Sequence, residues 1–567
     1  MSRFAVFLLL AACLAAQPRG ARRPMPAAPT VPKALQVDAV VTDVDGHPAP
    51  GLTAADFDLS VDGKSMPITS FRFVSRPPRR IIVLVDDTGL SPGGLERVRA
   101  ALTGFVDGQM QAGDEAAVLR TRSGSGVLGS LTSDKKILGE AIGQVEGTPE
   151  PASDEFVLAG IVTTLRAAFS GLTAVPGRKA VVLISENLEL ARRHPERFER
   201  MAALTATASA VFYSVDLQHA STGIELDNLM LAGDTGGLNL GPDPAVALAR
   251  ILRDQEGYYQ LGCESEEAGQ SQIKVGTRDT RFYTRYRGIP LGKAAQESDL
   301  RYRTSPQVLA TAIYSPFAGD AIRALVYPDF AYSFAPGLDL IIQVWVDVSG
   351  LTFTHQLSGI HSASAQVAIS VLGNTGTAVV DTTHDVSLQL TGEDYPKLLQ
   401  QGWVGQAELR VPAPGVYLVR AAVLDGTSSR MGSAGQLVEV PDVASGQLIL
   451  SGIAIHGKNP AAHRVFAPGA VLDFEYQILN PVNAQGQPAD LESVVHLFRG
   501  TEAVFAGNAQ PLPAKSPDET KIRLIAGELT LGRKLPAGHY WLQVTVSGKQ
   551  SQEPRRAQQW VDFEVRP

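Results

Sequence analysis

Apolar residues fall at every second position near the start of the chain: Val37, Ala39 and Val41, then Phe57, Leu59 and Val61. A period of two predicts strands with one buried face. Asp45-Gly46 follows the first run and Asp62-Gly63 the second, and Asp-Gly beside such runs predicts tight turns. Ile68, Phe71 and Phe73 close a small β module over 35–76, which Pro77-Pro78 separates from the next segment.

The pattern then changes. Residues 81–85 (IIVLV) and 180–184 (AVVLI) are unbroken apolar runs, as expected of strands covered on both faces of a parallel sheet. Further strands are predicted over 116–119, 127–131, 211–215 and 258–261. Between them lie helical patterns: one carrying Leu95, Val98, Ala101, Leu102 and Phe105, and others over 133–145, 155–169, 189–209, 224–232 and 244–253. Within 155–169, Leu158, Ile161, Val162, Leu165 and Phe169 share one face. This alternation predicts a doubly wound, Rossmann-like α/β sheet over 79–290.

After Ile273 the helical periodicity largely stops. Residues 273–287 read as two strands, and the rest as short strands spaced by Gly, Pro, Asn and Asp turns, which predicts β-sandwiches over 300–440 and 447–567. Pro414-Gly415 opens the aromatic-led strand GVYLVRAAVL, and Pro536-Ala537-Gly538 opens GHYWLQVTV. That shared form predicts two related β domains.

The first residues carry an address. Arg3 precedes the apolar run Phe4 to Ala12, and small residues continue through Ala16, which predicts a secretory signal peptide over 1–16. A membrane span needs ~20 apolar residues, so no transmembrane span is expected here or later. Residues 17–34, rich in Pro, Ala and Arg, read as a flexible tether. Leu10-Ala11-Ala12-Cys13 resembles a bacterial lipobox, so Cys13 offers a lipid anchor; the alternative is cleavage near Ala15 or Ala16. Either way the expected location is outside the cytoplasm: periplasmic, associated with the outer envelope, or secreted. Cys263 is then the one unmodified thiol, and an internal disulfide framework is excluded. A formal net charge of −8 gives no electrostatic footprint for nucleic acid.

In an open α/β sheet, ligands bind beyond the carboxyl ends of the strands. The run IIVLV delivers Asp86, Asp87 and Thr88 to that end, and AVVLI delivers Ser185 and Glu186. Oxygen ligands on neighbouring loops suit a hard divalent cation such as Mg²⁺. The runs IIVLVDDTGLS and RKAVVLISEN, with the LAGDTGGLNL turn, together resemble a von Willebrand factor type A (VWA) domain. The whole chain, including VVTDVDGHPAPGLTAADFDLSVDG and PAPGVYLVRAAVLD, is similar to the VWA-domain proteins common in Acidobacteria, most strongly over 36–290. The resemblance implies a VWA-like domain and a metal-ion-dependent adhesion site, built from Asp-x-Ser-x-Ser, a Thr on a second loop and an Asp on a third.

This chain departs from that pattern. Counted from Asp86 the motif reads Asp86-x-Thr88-x-Leu90, and leucine cannot ligate; counted from Asp87 it reads Asp87-x-Gly89-x-Ser91, without the middle hydroxyl. The second loop offers Ser153, and the third offers Glu186 in place of Asp. Asp86, Thr88 and Glu186 are the leading metal candidates, with Asp87, Ser91 and Ser153 behind them. The competing reading is that these groups cap the first helix and satisfy backbone at strand ends.

An enzymatic reading rests on the triplets Asp87-Thr88-Gly89 and Asp234-Thr235-Gly236, which resemble the paired carboxylates of an aspartic peptidase. The second triplet follows a helical pattern rather than a strand, and the segment between alternates helix and strand. Metalloprotease and phosphate-loop motifs do not occur, and no Gly-x-Gly-x-x-Gly run is read as opening a helix. The expectation is an exported, non-catalytic protein–protein interaction or adhesion protein with a degenerate metal site. The alternative is a structural cell-envelope scaffold whose metal site does not work.

Overall fold

The computed structural model describes residues 33–566, apart from 123–128, 149–151, 199–200, 220–229, 266–271, 288–304, 318–320, 333–337, 374–375, 458–463, 484–485, 515–520, 549–554 and the single positions 174 and 429. The signal peptide, almost all of the tether and Cys13 lie outside the described residues. The protein is multidomain and mixes α/β with all-β units.

At its centre is a five-stranded sheet in the order Glu115–Arg120, Arg80–Val85, Lys179–Ser185, Ala210–Asp216, Asn239–Leu240, with every pairing parallel. Its unbroken apolar runs arise because both faces are covered. Ile81, Val83, Val85, Val182 and Ile184 pack under the helices Pro92–Gly104, Lys135–Gly143 and Pro244–Asp254. Ile82, Leu84, Val181 and Leu183 pack on the opposite side with the helix Asp154–Leu172. That helix has 19 residues and mean hydropathy 1.4, enough by length and composition to cross a membrane, yet 67% of it is buried within the protein. One face lies on the sheet, while Phe156 and Ala159 pack with Leu372, Val416, Leu418 and Leu437 of the first sandwich. Burial on two sides explains a helix apolar nearly all round.

The strand predicted over 258–261 forms, as Gly257–Ser265, but it does not extend the parallel sheet. It pairs antiparallel with Lys33–Thr42 and with Ser70–Ser75. Tyr283–Tyr286 also pairs with Lys33–Thr42, and Ile273–Thr277 pairs with Phe57–Val61, which turns through Asp62 and Gly63 into Lys64–Ser65. These strands enclose one core of Val37, Val41, Phe57, Leu59, Tyr259, Leu261, Cys263 and Ile273. The β module therefore extends beyond 35–76, and the α/β unit sits as an insertion within it rather than running to 290. The physical reason is periodicity: Tyr259, Leu261 and Cys263 share one face, as in a half-covered antiparallel strand. The chain leaves and re-enters side by side, where the Arg76 N–H donates to the Glu256 carbonyl at 2.7 Å.

Other expectations need smaller corrections. The helix predicted over 189–209 is broken into Leu188–Arg193, a 3₁₀ turn Pro195–Arg197 and Met201–Thr207, since Pro195 cannot donate into a helical ladder. Residues 129–131 are not a strand; Thr132 makes only an isolated antiparallel bridge to Ala116. Most of the helix predicted over 224–232 lies outside the described residues, which resume with the helix Met230–Asp234.

Both C-terminal segments form paired sheets, antiparallel apart from the short parallel pairing of Val465–Phe466 with Arg556–Val565, with cores running through Ile342, Val344, Val367 and Val419 in the first, and Tyr476, Leu542, Val544 and Phe563 in the second. Two helices, Ser305–Tyr314 and Asp394–Gln401, interrupt the all-β expectation for the first. The buried Arg420 donates to the carbonyls of Ala312, Ile313 and Ser315, placing a cation at the carboxyl end of Ser305–Tyr314. The predicted relation between the sandwiches has a physical basis. Tyr417 donates its hydroxyl proton to the Ala413 carbonyl, and Tyr540 to the Pro536 carbonyl, each at 2.7 Å and four residues back. Each tyrosine follows a glycine of positive φ by two positions, Gly415 (+149°) and Gly538 (+144°). This is the tyrosine-corner device of sandwich folds.

Candidate functional site

The strands Arg80–Val85 and Lys179–Ser185 lie side by side, and from them the chain departs to opposite edges of the sheet. That divergence opens a crevice at their carboxyl ends. Asp86, Thr88 and Ser185 are each 0% exposed there. The Asp86 N–H donates to the Ile184 carbonyl at 2.9 Å, which holds the carboxylate between the two strand ends.

Four donors converge on Asp86. Its Oδ1 accepts from the hydroxyls of Thr88 (2.5 Å) and Thr121 (3.1 Å), and its Oδ2 from Ser185 Oγ (2.7 Å) and Asn187 Nδ2 (3.0 Å). A buried carboxylate is tolerated when its lone pairs are filled in this way. Gly89 makes room for it, because a Cβ there would sit 2.3 Å from Asn187 Nδ2. Thr121 and Asn187 are not among the metal candidates that the sequence offers. The signal for both is that the first polar residues after each parallel strand arrive at the same end of the sheet.

Glu186 is not brought to Asp86. Its two oxygens accept from the Ser91 hydroxyl (2.7 Å) and the Ser91 N–H (2.9 Å). Ser91 Oγ in turn accepts from the Gly94 N–H at 3.1 Å, capping the helix Pro92–Gly104. Glu186 thus places a negative charge at a helix amino terminus, a favourable position in itself. Ser153 is also elsewhere: it caps the helix Asp154–Leu172 through the Phe156 N–H and turns its hydroxyl to Glu439 of the first sandwich.

Asp87 is buried beside Asp86. Its Oδ1 accepts from the Arg122 N–H at 3.0 Å, and its Oδ2 lies 3.8 Å from the Arg120 guanidinium. Burial raises its pKa above the ordinary value, against the pull of Arg120 and Arg122. Asp234 does not join it. In that second triplet Thr235 is buried and accepts from the Phe212 N–H at 2.9 Å, bracing the sheet, while Asp234 itself is exposed. The two triplets therefore do not form a carboxylate pair.

Tested for a cation, the crevice offers the Asp86 carboxylate and the hydroxyls of Thr88, Thr121 and Ser185, with the Asp87 carboxylate alongside, its Oδ1 3.5 Å from the Thr121 hydroxyl. These are hard oxygen donors of the type Mg²⁺ takes. Asp86 and Thr88 are together as the resemblance implies, whereas Glu186, Ser91 and Ser153 are committed to helix caps. The fit is one of donor type, and the neighbouring Asp87 is already engaged by the Arg122 N–H.

Arg122 links this end of the sheet to the rest of the protein. Its carbonyl accepts from the Leu437 N–H of the first sandwich at 3.3 Å, and its guanidinium lies 4.4 Å from the Trp541 ring of the second. Around it is a cleft of about 410 Å³ lined by all three units, including Thr148, Phe156, Glu439, Trp541 and Trp560. Thr148 connects cleft and crevice, donating to the Thr88 carbonyl at 3.2 Å. Arg464 closes the far wall, pairing with Asp329 at 3.0 Å and Asp562 at 3.1 Å.

No family model matches the chain, and no curated protein matches it. Among solved structures it is similar to red sea bream transglutaminase, at 11% identity and a TM-score of 0.14 over 43% of this chain and 31% of that one. It is also similar to Bacteroides uniformis β-glucuronidase, at 10% identity and a TM-score of 0.17 over 40% of this chain and 26% of that one. The chain spans less than a third of either structure's length. Similarity at this level transfers neither fold nor activity.

Proposed function

We propose that this chain is an exported, non-catalytic protein–protein interaction protein built around a VWA-like α/β domain, and that its partner binds where the strand ends meet the three-unit cleft. The observation carrying this reading is the continuity from Asp86 through Thr88 and Thr148 into a cleft walled by Arg122, Phe156 and Trp541. An arginine with aromatic neighbours at the junction of rigid units is the composition of an interaction hot spot. An acidic side chain of the partner, set against Arg122, is the matching chemistry. A hard cation on Asp86 and Thr88 would add positive charge to the same crevice.

The scaffold reading has its own support in the four neutral donors that already saturate Asp86 and in the engagement of Glu186 with Ser91. A thermal melt of the full chain with EDTA, Mg²⁺, Mn²⁺ or Ca²⁺, alongside Asp86→Ala, separates the two. A cation at about 100 times its dissociation constant stabilises by about 2.7 kcal/mol. A shift with cation that disappears in Asp86→Ala supports metal-assisted binding. Identical melts in EDTA and in cation would retire the metal and favour the scaffold.

A further inference from the structure

The first sandwich carries a pair of histidines that the strand-end crevice does not use. His355 ends the short strand Thr354–His355, and His361 begins the long strand His361–Leu372; the two residues are direct cross-strand partners. The loop between them is closed by the Gln356 N–H donating to the Ile360 carbonyl at 2.9 Å. Directly opposed side chains on an antiparallel pair leave the backbone ~5 Å apart at Cβ and so meet each other. Here the two imidazoles turn Nδ1 toward Nδ1, with ring centroids 4.7 Å apart and planes at 76°.

Their orientation is set by packing. His361 stacks on Tyr395 at 4.2 Å and 12°, and Tyr395 meets Phe353 edge-on at 4.9 Å. Tyr395 also presents to His355 at 5.7 Å. Two facing Nδ1 atoms cannot both carry a proton; either one donates to the other, or both give their lone pairs to a cation. Held this way, with His355 exposed to solvent, they form half of a tetrahedral nitrogen site.

We propose that His355 and His361 bind a divalent transition-metal ion of the zinc type, leaving two coordination positions for water or for a donor from another molecule. Imidazole pairs select Zn²⁺, Cu²⁺ or Ni²⁺ over Mg²⁺ and Ca²⁺, and a Zn–N bond of about 2.0–2.1 Å requires only a small opening of the exposed His355 ring. The site is separate from Asp86 in both place and donor chemistry, so it stands whether or not the crevice binds a cation.

The test is calorimetric titration of Zn²⁺, with Mg²⁺ as comparison, into the full chain near neutral pH. Variants are His355→Ala, His361→Ala, His361→Phe and, as a control on the neighbouring strand, His384→Ala. Wild type and His384→Ala are expected to take up one Zn²⁺ with micromolar affinity and no Mg²⁺ at these residues. The His355 and His361 variants should each lose at least tenfold. His361→Phe keeps a ring on Tyr395 while removing the nitrogen, so loss there reports the ligand and not the hairpin. Unchanged Zn²⁺ affinity in His361→Phe, or no uptake by wild type at about 1 mM Zn²⁺, would overturn the proposal and leave a proton-sharing histidine pair.

Discussion

Replacing Arg285 with methionine would strip the partner from a buried carboxylate at the seam between the inserted α/β unit and its host β module. Asp254, 3% exposed at the end of the helix Pro244–Asp254, accepts from both terminal nitrogens of Arg285 and, at 2.5 Å, from the Tyr213 hydroxyl. Arg285 comes from the strand Tyr283–Tyr286 and also reaches the Gly236 carbonyl at 3.3 Å, so it ties together elements on both sides of the insertion. Burial works to raise the Asp254 pKa, but the Arg285 charge with the Arg285 and Tyr213 hydrogen bonds overcomes it and holds the pKa below its ordinary value. Removing one partner of a buried pair costs about 3–5 kcal/mol. At ~2–4 °C per kcal/mol for a unit of this size, the α/β transition should fall by roughly 6–20 °C. Two probes isolate it: all four tryptophans, Trp345, Trp403, Trp541 and Trp560, lie in the sandwiches, whereas most of the helix lies in the inserted unit. The helical circular-dichroism signal should melt early while the fluorescence of Trp345 and Trp403 holds, read in a Trp541→Phe, Trp560→Phe background because those two rings line the cleft shared with the α/β unit. The pH sign follows from the lowered pKa: the pair's stabilisation is full above the unfolded carboxylate range and is lost as pH falls through the folded value. The gap between wild type and Arg285→Met should therefore narrow in acid. A shift below about 2 °C, or a gap that ignores pH, would refute the reasoning.

Tyr417→Phe and Tyr540→Phe should each cost about 0.5–1.5 kcal/mol, seen as separate losses in tryptophan-monitored denaturation, because each removes one corner hydrogen bond from one sandwich. Lys179 is buried at the start of its strand, donating to the Leu172 carbonyl at 3.3 Å and to the Val175 carbonyl, and burial pushes its pKa down to about 7. Its folded pKa lies below the unfolded one, so the unfolded chain holds the extra proton and stability should rise between pH 7 and 9, on the order of 2 kcal/mol; urea titrations of Lys179→Met should show that slope flattened. Gly89→Ala should push Asn187 away from Asp86 and destabilise the α/β unit by about 1–3 kcal/mol, through steric overlap and a carboxylate short of one donor; unchanged stability would mean the loop yields at no cost.

What the sequence makes legible here follows from how local the physics is. Unbroken apolar runs at 81–85 and 180–184, each short and bounded by polar residues, announce strands covered on both faces, because successive side chains of a strand point to opposite faces and both must then be buried. The Pro-Gly openings at Gly415 and Gly538 carry the tyrosine corners because each hydrogen bond spans only four residues. One further local device repeats: Asp43 accepts from the His47 N–H, as Asn483 does from Gln487, in loops of matching backbone bonds. Asp43, Asp45 and His47 also form the single group of three potential metal-binding acids and histidines among the described residues, and the Asn483 loop assigns Asp43 a turn-forming role that needs no ion. Partner choice is not local. Alternation in Gly257–Ser265 fixes which face is buried but not which strand lies alongside, so the insertion emerges only when both ends of the β module are seen to share one core. Glu186 fails as a predicted ligand for a related reason. Its position after a parallel strand is legible, but its direction is decided by competition between a crevice whose Asp86 already holds four donors and a helix terminus offering two from Ser91. A further carboxylate turned toward Asp86 and Asp87 would meet repulsion in a buried site, while at Ser91 it meets a hydroxyl, an N–H and the positive end of a helix. The charge goes where those donors are, which leaves Asp86 as the crevice's own anion and makes Asp86→Ala, rather than Glu186→Ala, the substitution that decides whether a cation belongs there.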